Sequence, residues 1–99
     1  MMVMSTYPFD TRKLIDVCRR NDVVMIGVFG SMARGEAGEE SDIDLIVDFS
    51  KRKSLLSLVA LERELSSALG RKVDLLTEAA LSPYLHDRIM DELQVIYAA

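Results

Sequence analysis

Two apolar runs dominate the first half of the chain, Val23-Val24-Met25-Ile26-Gly27-Val28-Phe29 and Ile43-Asp44-Leu45-Ile46-Val47-Asp48-Phe49. Rich in β-branched residues and bounded by turn formers, they predict strands over about 23–29 and 43–49. Lys72-Val73-Asp74-Leu75-Leu76-Thr77 predicts a third. Helical spacing lies between them. Leu14, Ile15 and Cys18 fall on one side of a helix over 11–20, with Arg12, Lys13, Arg19 and Arg20 outside and Asp10 or Thr11 as N-cap. A short helix is expected over Ser31–Arg34, followed by a supple loop, Gly35-Glu36-Ala37-Gly38-Glu39-Glu40, able to close over a ligand. Leu55, Leu58, Val59, Leu61, Leu65 and Leu69 make an apolar stripe, read as core, on a helix that Gly70 ends. Ser82-Pro83 opens a last helix to about Leu93, and Gln94–Tyr97 adds an edge strand or a docking tail. The order is α-β-α-β-α-β-α. It predicts an α/β (α+β) fold, a small mixed β-sheet flanked by helices, since the first two strands are joined too briefly to require parallel pairing.

Ninety-nine residues are expected to form one domain, 1–99, with its core over about 10–97. The hydrophobic fraction, 49%, is high for so short a chain. It implies either a dense core or an apolar patch for a partner or a second copy. No apolar run nears the roughly 20 residues of a membrane span, and Met1–Ser5 lacks the basic start and apolar core of a signal peptide. The single Cys18 excludes an internal disulfide and fits the cytoplasm. A net charge of −4 speaks against nucleic acid as a direct partner.

The chemistry sits where apolar patterning is broken. Asp42 and Asp44 lie two apart, so a strand points both to one face, where two like charges need a divalent cation. Asp74, on the next strand, is flanked by Val73 and Leu75 as Asp44 is by Ile43 and Leu45. Three carboxylates on neighbouring strands suit a two-metal site with ions about 3.5–4 Å apart, one bridging a triphosphate and one activating a hydroxyl. Carboxylate oxygens favour Mg²⁺ or Mn²⁺, and no Cys/His cluster favours zinc. Gly30-Ser31 completes the picture, because glycine lets backbone approach phosphate and Ser31 adds a hydroxyl donor. Arg34, one turn on, either reaches the leaving pyrophosphate or merely caps its short helix. Ser41 is placed to hold Asp42 by a local hydrogen bond.

Other polar residues read as structural. Asp48 shares the carboxylate face but lies too far along the strand and is expected in solvent. His86 reads as a surface or core-edge residue, Cys18 as a small buried apolar one. Lys51-Arg52-Lys53 reads as a solvated turn, Tyr84 and Tyr97 as packing residues, and Glu36, Glu39 and Glu40 as loop charges.

Gly30-Ser31-Met32-Ala33-Arg34-Gly35, then Ser41-Asp42-Ile43-Asp44-Leu45, then Val73-Asp74-Leu75, resembles the DNA polymerase β-type nucleotidyltransferase superfamily. With the tail Leu81-Ser82-Pro83-Tyr84-Leu85-His86-Asp87-Arg88-Ile89-Met90 and Ile96-Tyr97, the chain is similar to its minimal branch, the minimal nucleotidyltransferases. The resemblance implies the polymerase β-type fold and a role as antitoxin. Members of that branch are paired with a HEPN-domain RNase toxin and silence it by moving AMP from ATP onto its tyrosine. By position, Gly30 and Ser31, with Arg34, would hold phosphates; Asp42, Asp44 and Asp74 would bind two Mg²⁺ ions, Asp74 also assisting deprotonation of the acceptor. A homo-oligomer or hetero-oligomer is left open. The rival reading is a non-catalytic nucleotide-binding module that neutralises a partner by stoichiometric contact. Transfer to RNA or to an aminoglycoside-like molecule ranks below both, since no basic patch or further substrate domain is visible.

Overall fold

The computed structural model describes residues 7–36, 38 and 41–99. The readings of Met1–Ser5 and of Ala37, Glu39 and Glu40 in the loop lie outside the described residues. The chain runs α1 (Thr11–Arg20), β1 (Val23–Phe29), α2 (Ser31–Arg34), β2 (Ile43–Phe49), α3 (Leu55–Leu69), β3 (Val73–Thr77), a 3₁₀ turn (Glu78–Ala80), α4 (Pro83–Glu92) and β4 (Gln94–Ala98). The helix ends follow local chemistry. Asp10 accepts the amides of Arg12 and Lys13, Ser54 that of Ser57 and Ser82 that of Tyr84, while Gly70 closes α3 at φ 68°.

The four strands form one mixed sheet in the order β3-β2-β1-β4. β1 pairs antiparallel with both β2 and β4, whereas β2 and β3, joined through α3, run parallel. Strand alternation divides the side chains by face. Ile43, Leu45 and Val47 of β2, Ile26 and Val28 of β1, and Val73 and Leu75 of β3 enter the core with Leu14, Val17 and Cys18 of α1 and Leu61 and Leu65 of α3. Each such burial contributes about 1.5–3 kcal/mol for a full-sized aliphatic side chain. Burial pushes the Cys18 thiol up to about 12, so it is held as an inert apolar group.

One expectation fails in part. The α3 stripe is core only in its second half: Leu61 and Leu65 are buried and Leu58 and Leu69 partly so, but Val59 is exposed, and Leu55 and Leu56 are 75% and 81% exposed. The first turn of α3 borders an open groove instead of packing under α1, and helical spacing carries no information on where the neighbouring layer ends. Tyr84 is likewise no packing residue, being 95% exposed on the first turn of α4. Tyr97 does pack on the core, beneath the Arg19 guanidinium 5.9 Å from its ring centre. The basic turn is tethered: Lys53 and Lys51 reach the Asp22 carboxylate at 2.7 and 3.6 Å, and Asp22 itself sits at φ 61°. These cations hold its carboxyl below the usual range, the Lys53 hydrogen bond foremost. Among the described residues, no helix is long and apolar enough to cross a membrane.

Candidate active site

The parity that buries Ile43, Leu45, Val73 and Leu75 leaves Asp44 and Asp74 on the opposite face of the sheet. Parallel pairing then sets them side by side, Asp44 in register with Asp74 and Ile43 with Val73. β1 brings the third element, since Phe29 pairs with Asp44 and the chain turns immediately at Gly30. Gly30 holds φ 73°, ψ −149°, a region open essentially to glycine. A Cβ there would lie 2.6 Å from Asp44 Oδ2. Backbone and carboxylate are thus in contact, with Ser31 opening α2 just beyond.

Asp44 feels this crowding. Its carboxyl is held above the usual range, first by burial and then by the neighbouring charges of Asp74 and Asp42, with Arg34 acting in the opposite direction. Asp42, at the mouth of β2, pairs with Lys72 Nζ at 3.8 Å in an exposed geometry. Among the described residues, no three His, Cys, Asp or Glu side chains close around one metal-sized point. The donor set still fits Mg²⁺, which takes one or two carboxylates and draws its other ligands from phosphate and water. An Asp44 whose charge is disfavoured by Asp74 and Asp42 is the environment a divalent cation relieves. Asp48 is exposed at the far end of β2, and His86, on α4, pairs with Glu78 at 2.7 Å and Asp87 at 3.2 Å.

The loop ahead of Asp42 is fastened locally. Ser41 Oγ accepts from the Gly38 amide at 2.8 Å, Ser41 N donates to the Gly38 carbonyl at 3.2 Å, and Arg71 Nη1 donates to the carbonyls of Gly38 and Ser41 at 3.0 and 3.2 Å. Arg34 is held by carboxylates, its Nε on Glu36 at 2.9 Å and its Nη1 on Glu92 at 3.2 Å, pairs that hold its guanidinium pKa above the usual value. Glu92 Oε1 also accepts the Gly30 amide at 2.9 Å. The strand spacing and the Gly-Ser turn therefore bring Gly30, Ser31, Asp42, Asp44 and Asp74 to one end of the sheet, with Arg34 one turn away. Arg71 and Glu92 were not legible. Glu92 lies 62 residues from Gly30, on an ordinary polar position of an amphipathic helix, and no spacing rule links the two. The groove beside α3 is separate. It encloses about 1110 Å³ at the other end of β2 and is lined by Ile46, Lys53, Leu55, Leu58, Leu81 and His86, among others.

Residues 11–96 match the nucleotidyltransferase domain family. A Methanocaldococcus jannaschii protein assigned as a protein adenylyltransferase is 47% identical over 81 residues, which cover 82% of this chain and 87% of that protein. The protein adenylyltransferase MntA of Thermococcus cleftensis is 44% identical over 68 residues, 69% of each chain. In a toxin–antitoxin crystal structure solved with AMP-PNP, one chain superposes with a TM-score of 0.79 at 26% identity, covering 91% of this chain and 74% of that one.

Proposed function

Because the chain belongs to the nucleotidyltransferase domain family, we propose that it transfers AMP from ATP to a tyrosine hydroxyl of a HEPN-type RNase toxin, as that toxin's antitoxin. The observation that carries this reading is the in-register pair Asp44 and Asp74, with Asp44 set against Gly30 of the Gly30-Ser31 turn. The names of the relatives support the transfer to protein, and the toxin–antitoxin likeness supports the partner.

Asp42, Asp44 and Asp74 would hold Mg²⁺, which when bound supplies positive charge against the triphosphate and lowers the pKa of an attacking hydroxyl. The Gly30-Ser31 turn holds phosphate oxygens, Gly30 allowing the close approach of the backbone and Ser31 supplying amide and hydroxyl donors. Arg34 turns its guanidinium toward the β- and γ-phosphates, where charge builds as pyrophosphate departs. The tyrosine oxygen attacks the α-phosphorus in line, its proton passing to the Asp74 carboxylate. The bond from the α-phosphorus to the bridging oxygen breaks, and pyrophosphate leaves with that electron pair.

The test is transfer of label from α-³²P-ATP with Mg²⁺ to a co-expressed HEPN-type partner. Label should appear on the partner's tyrosine and vanish with Asp42→Asn or Asp44→Asn, both still folded. Transfer retained by both variants would end the assignment. A second reading, silencing by stoichiometric contact, draws on exposed Leu55, Leu56 and Tyr84 and on the groove between α3 and α4. Dose separates the two: a catalyst silences an excess of partner, whereas a blocker titrates it one for one.

A further inference from the structure

A four-residue helix cannot hold itself, since its first turn fixes several backbone dihedrals for a single hydrogen bond. α2 closes few such bonds: Arg34 N donates to the Gly30 carbonyl at 3.1 Å, Gly35 N to the Met32 carbonyl at 3.4 Å and Glu36 N to the Ser31 carbonyl at 2.9 Å. Met32 anchors it in the core, and further polar supports arrive from the junction of α4 and β4. Glu92, the last residue of α4, accepts the Gly30 amide on Oε1 at 2.9 Å, and Arg34 Nη1 approaches its two carboxylate oxygens at 3.3 and 3.2 Å. Two residues on, Gln94 Nε2 donates to the Ala33 carbonyl at 2.9 Å, while its Oε1 accepts from the Tyr7 hydroxyl. One carboxylate thus grips α2 at both ends. The bond from the Gly30 amide, with the Arg34 guanidinium beside it, holds the Glu92 carboxyl below the usual range.

Position matters here because Gly30 already touches Asp44. Any drift of the Gly30 peptide changes the spacing between the phosphate donors and the carboxylates, and misplacements of this kind are costly to transfer reactions. We infer that Glu92 is a positioning residue, which fixes the Gly30–Arg34 cradle against Asp44 and Asp74 and presents Arg34 to the nucleotide's phosphates. The inference rests on the nucleotidyl-transfer reading of the site. Glu92 acts through Gly30 and Arg34 and does not itself meet the substrate.

The test uses the full chain with AMP-PNP and MgCl₂ in a calorimetric titration, together with hydrogen exchange at the Gly30 amide without nucleotide. Glu92→Ala should release Gly30 exchange and weaken AMP-PNP roughly tenfold, the scale of losing bonds to a charged group. Glu92→Gln keeps an acceptor for Gly30 and loses the charge facing Arg34. It should retain Gly30 protection and weaken binding only about threefold, and it decides the matter should Glu92→Ala fail to fold. In an Arg34→Ala background, Glu92→Ala should cost less than it does alone. Unchanged Gly30 exchange with unchanged affinity would overturn the inference while leaving the transferase reading intact. Tighter binding would overturn it too, making Glu92 a competitor for the cradle. A wild-type protein that bound no AMP-PNP would overturn both.

Discussion

Gly30→Ala isolates the contact on which the site is built. An alanine at φ 73°, ψ −149° carries a backbone cost of about 1–3 kcal/mol. Its Cβ would also stand 2.6 Å from Asp44 Oδ2, and pushing Asp44 off its rotamer adds about 0.5–1.5 kcal/mol. Gly35 is the internal control: it shares φ 73°, with ψ 21°, but a Cβ there meets nothing within 4 Å. Its alanine variant should lose only about 1–2 kcal/mol, the ordinary left-handed cost. Gly30→Ala should therefore lose about 2–4 kcal/mol, against a total stability of roughly 5–15 kcal/mol for a domain. For this chain length each kcal/mol lowers Tm by about 4–8 °C. Urea unfolding followed by circular dichroism measures the loss, the slope against denaturant staying constant between variants. Gly30→Ala should also abolish nucleotidyl transfer, because it displaces Asp44. If Gly30→Ala proved no less stable than Gly35→Ala, the close approach of Gly30 and Asp44 would be refuted.

Three further outcomes follow from the same geometry. Asp44→Asn should raise Tm at pH 7 in the absence of divalent metal, because the folded state disfavours the Asp44 charge beside Asp74 and Asp42; an unchanged or lower Tm would contradict that crowding. Leu65→Ala should cost about 2–5 kcal/mol in urea unfolding, whereas Leu55→Ala, on the exposed first turn of α3, should stay within about 0.5 kcal/mol of wild type. Hydrogen bonds to Glu78 and then Asp87 raise the His86 pKa above its ordinary value of 6.5. The small stability this exposed group contributes is complete below that ordinary value and lost as pH rises through the raised one, and an NMR titration of His86 should place its midpoint above 6.5.

The elements themselves were legible because each carries its own punctuation. Asp10 and Ser82 announce helix starts, Gly70 an end, and the two apolar runs need only their alternation to show which side the carboxylates face. Three matters were not legible, each for a physical reason. The start of α3 repeats the apolar spacing of its buried half, and only the reach of α1 and the sheet distinguishes them. Tyr84 sits in an amphipathic helix whose aromatic residue reads as core until the helix is seen to leave it in solvent. Arg71 and Glu92 grip the loop ahead of Asp42 and the Gly30 turn across chain separations that local patterns do not span. The carboxylates could be named from the strands that bear them, but the residues steadying their surroundings emerged only from three-dimensional proximity.

The pairing of Asp44 with Asp74 binds two kinds of failure into one. A slip of β3 by a single residue against β2 would swing Val73 and Leu75 out to solvent and drive Asp74 into the hydrocarbon layer. A one-residue slip cannot keep a sound core while losing the carboxylate pair, so a defective site of this kind betrays itself as a destabilised protein. Cellular proteolysis, which acts on unfolded chains, would therefore remove such molecules.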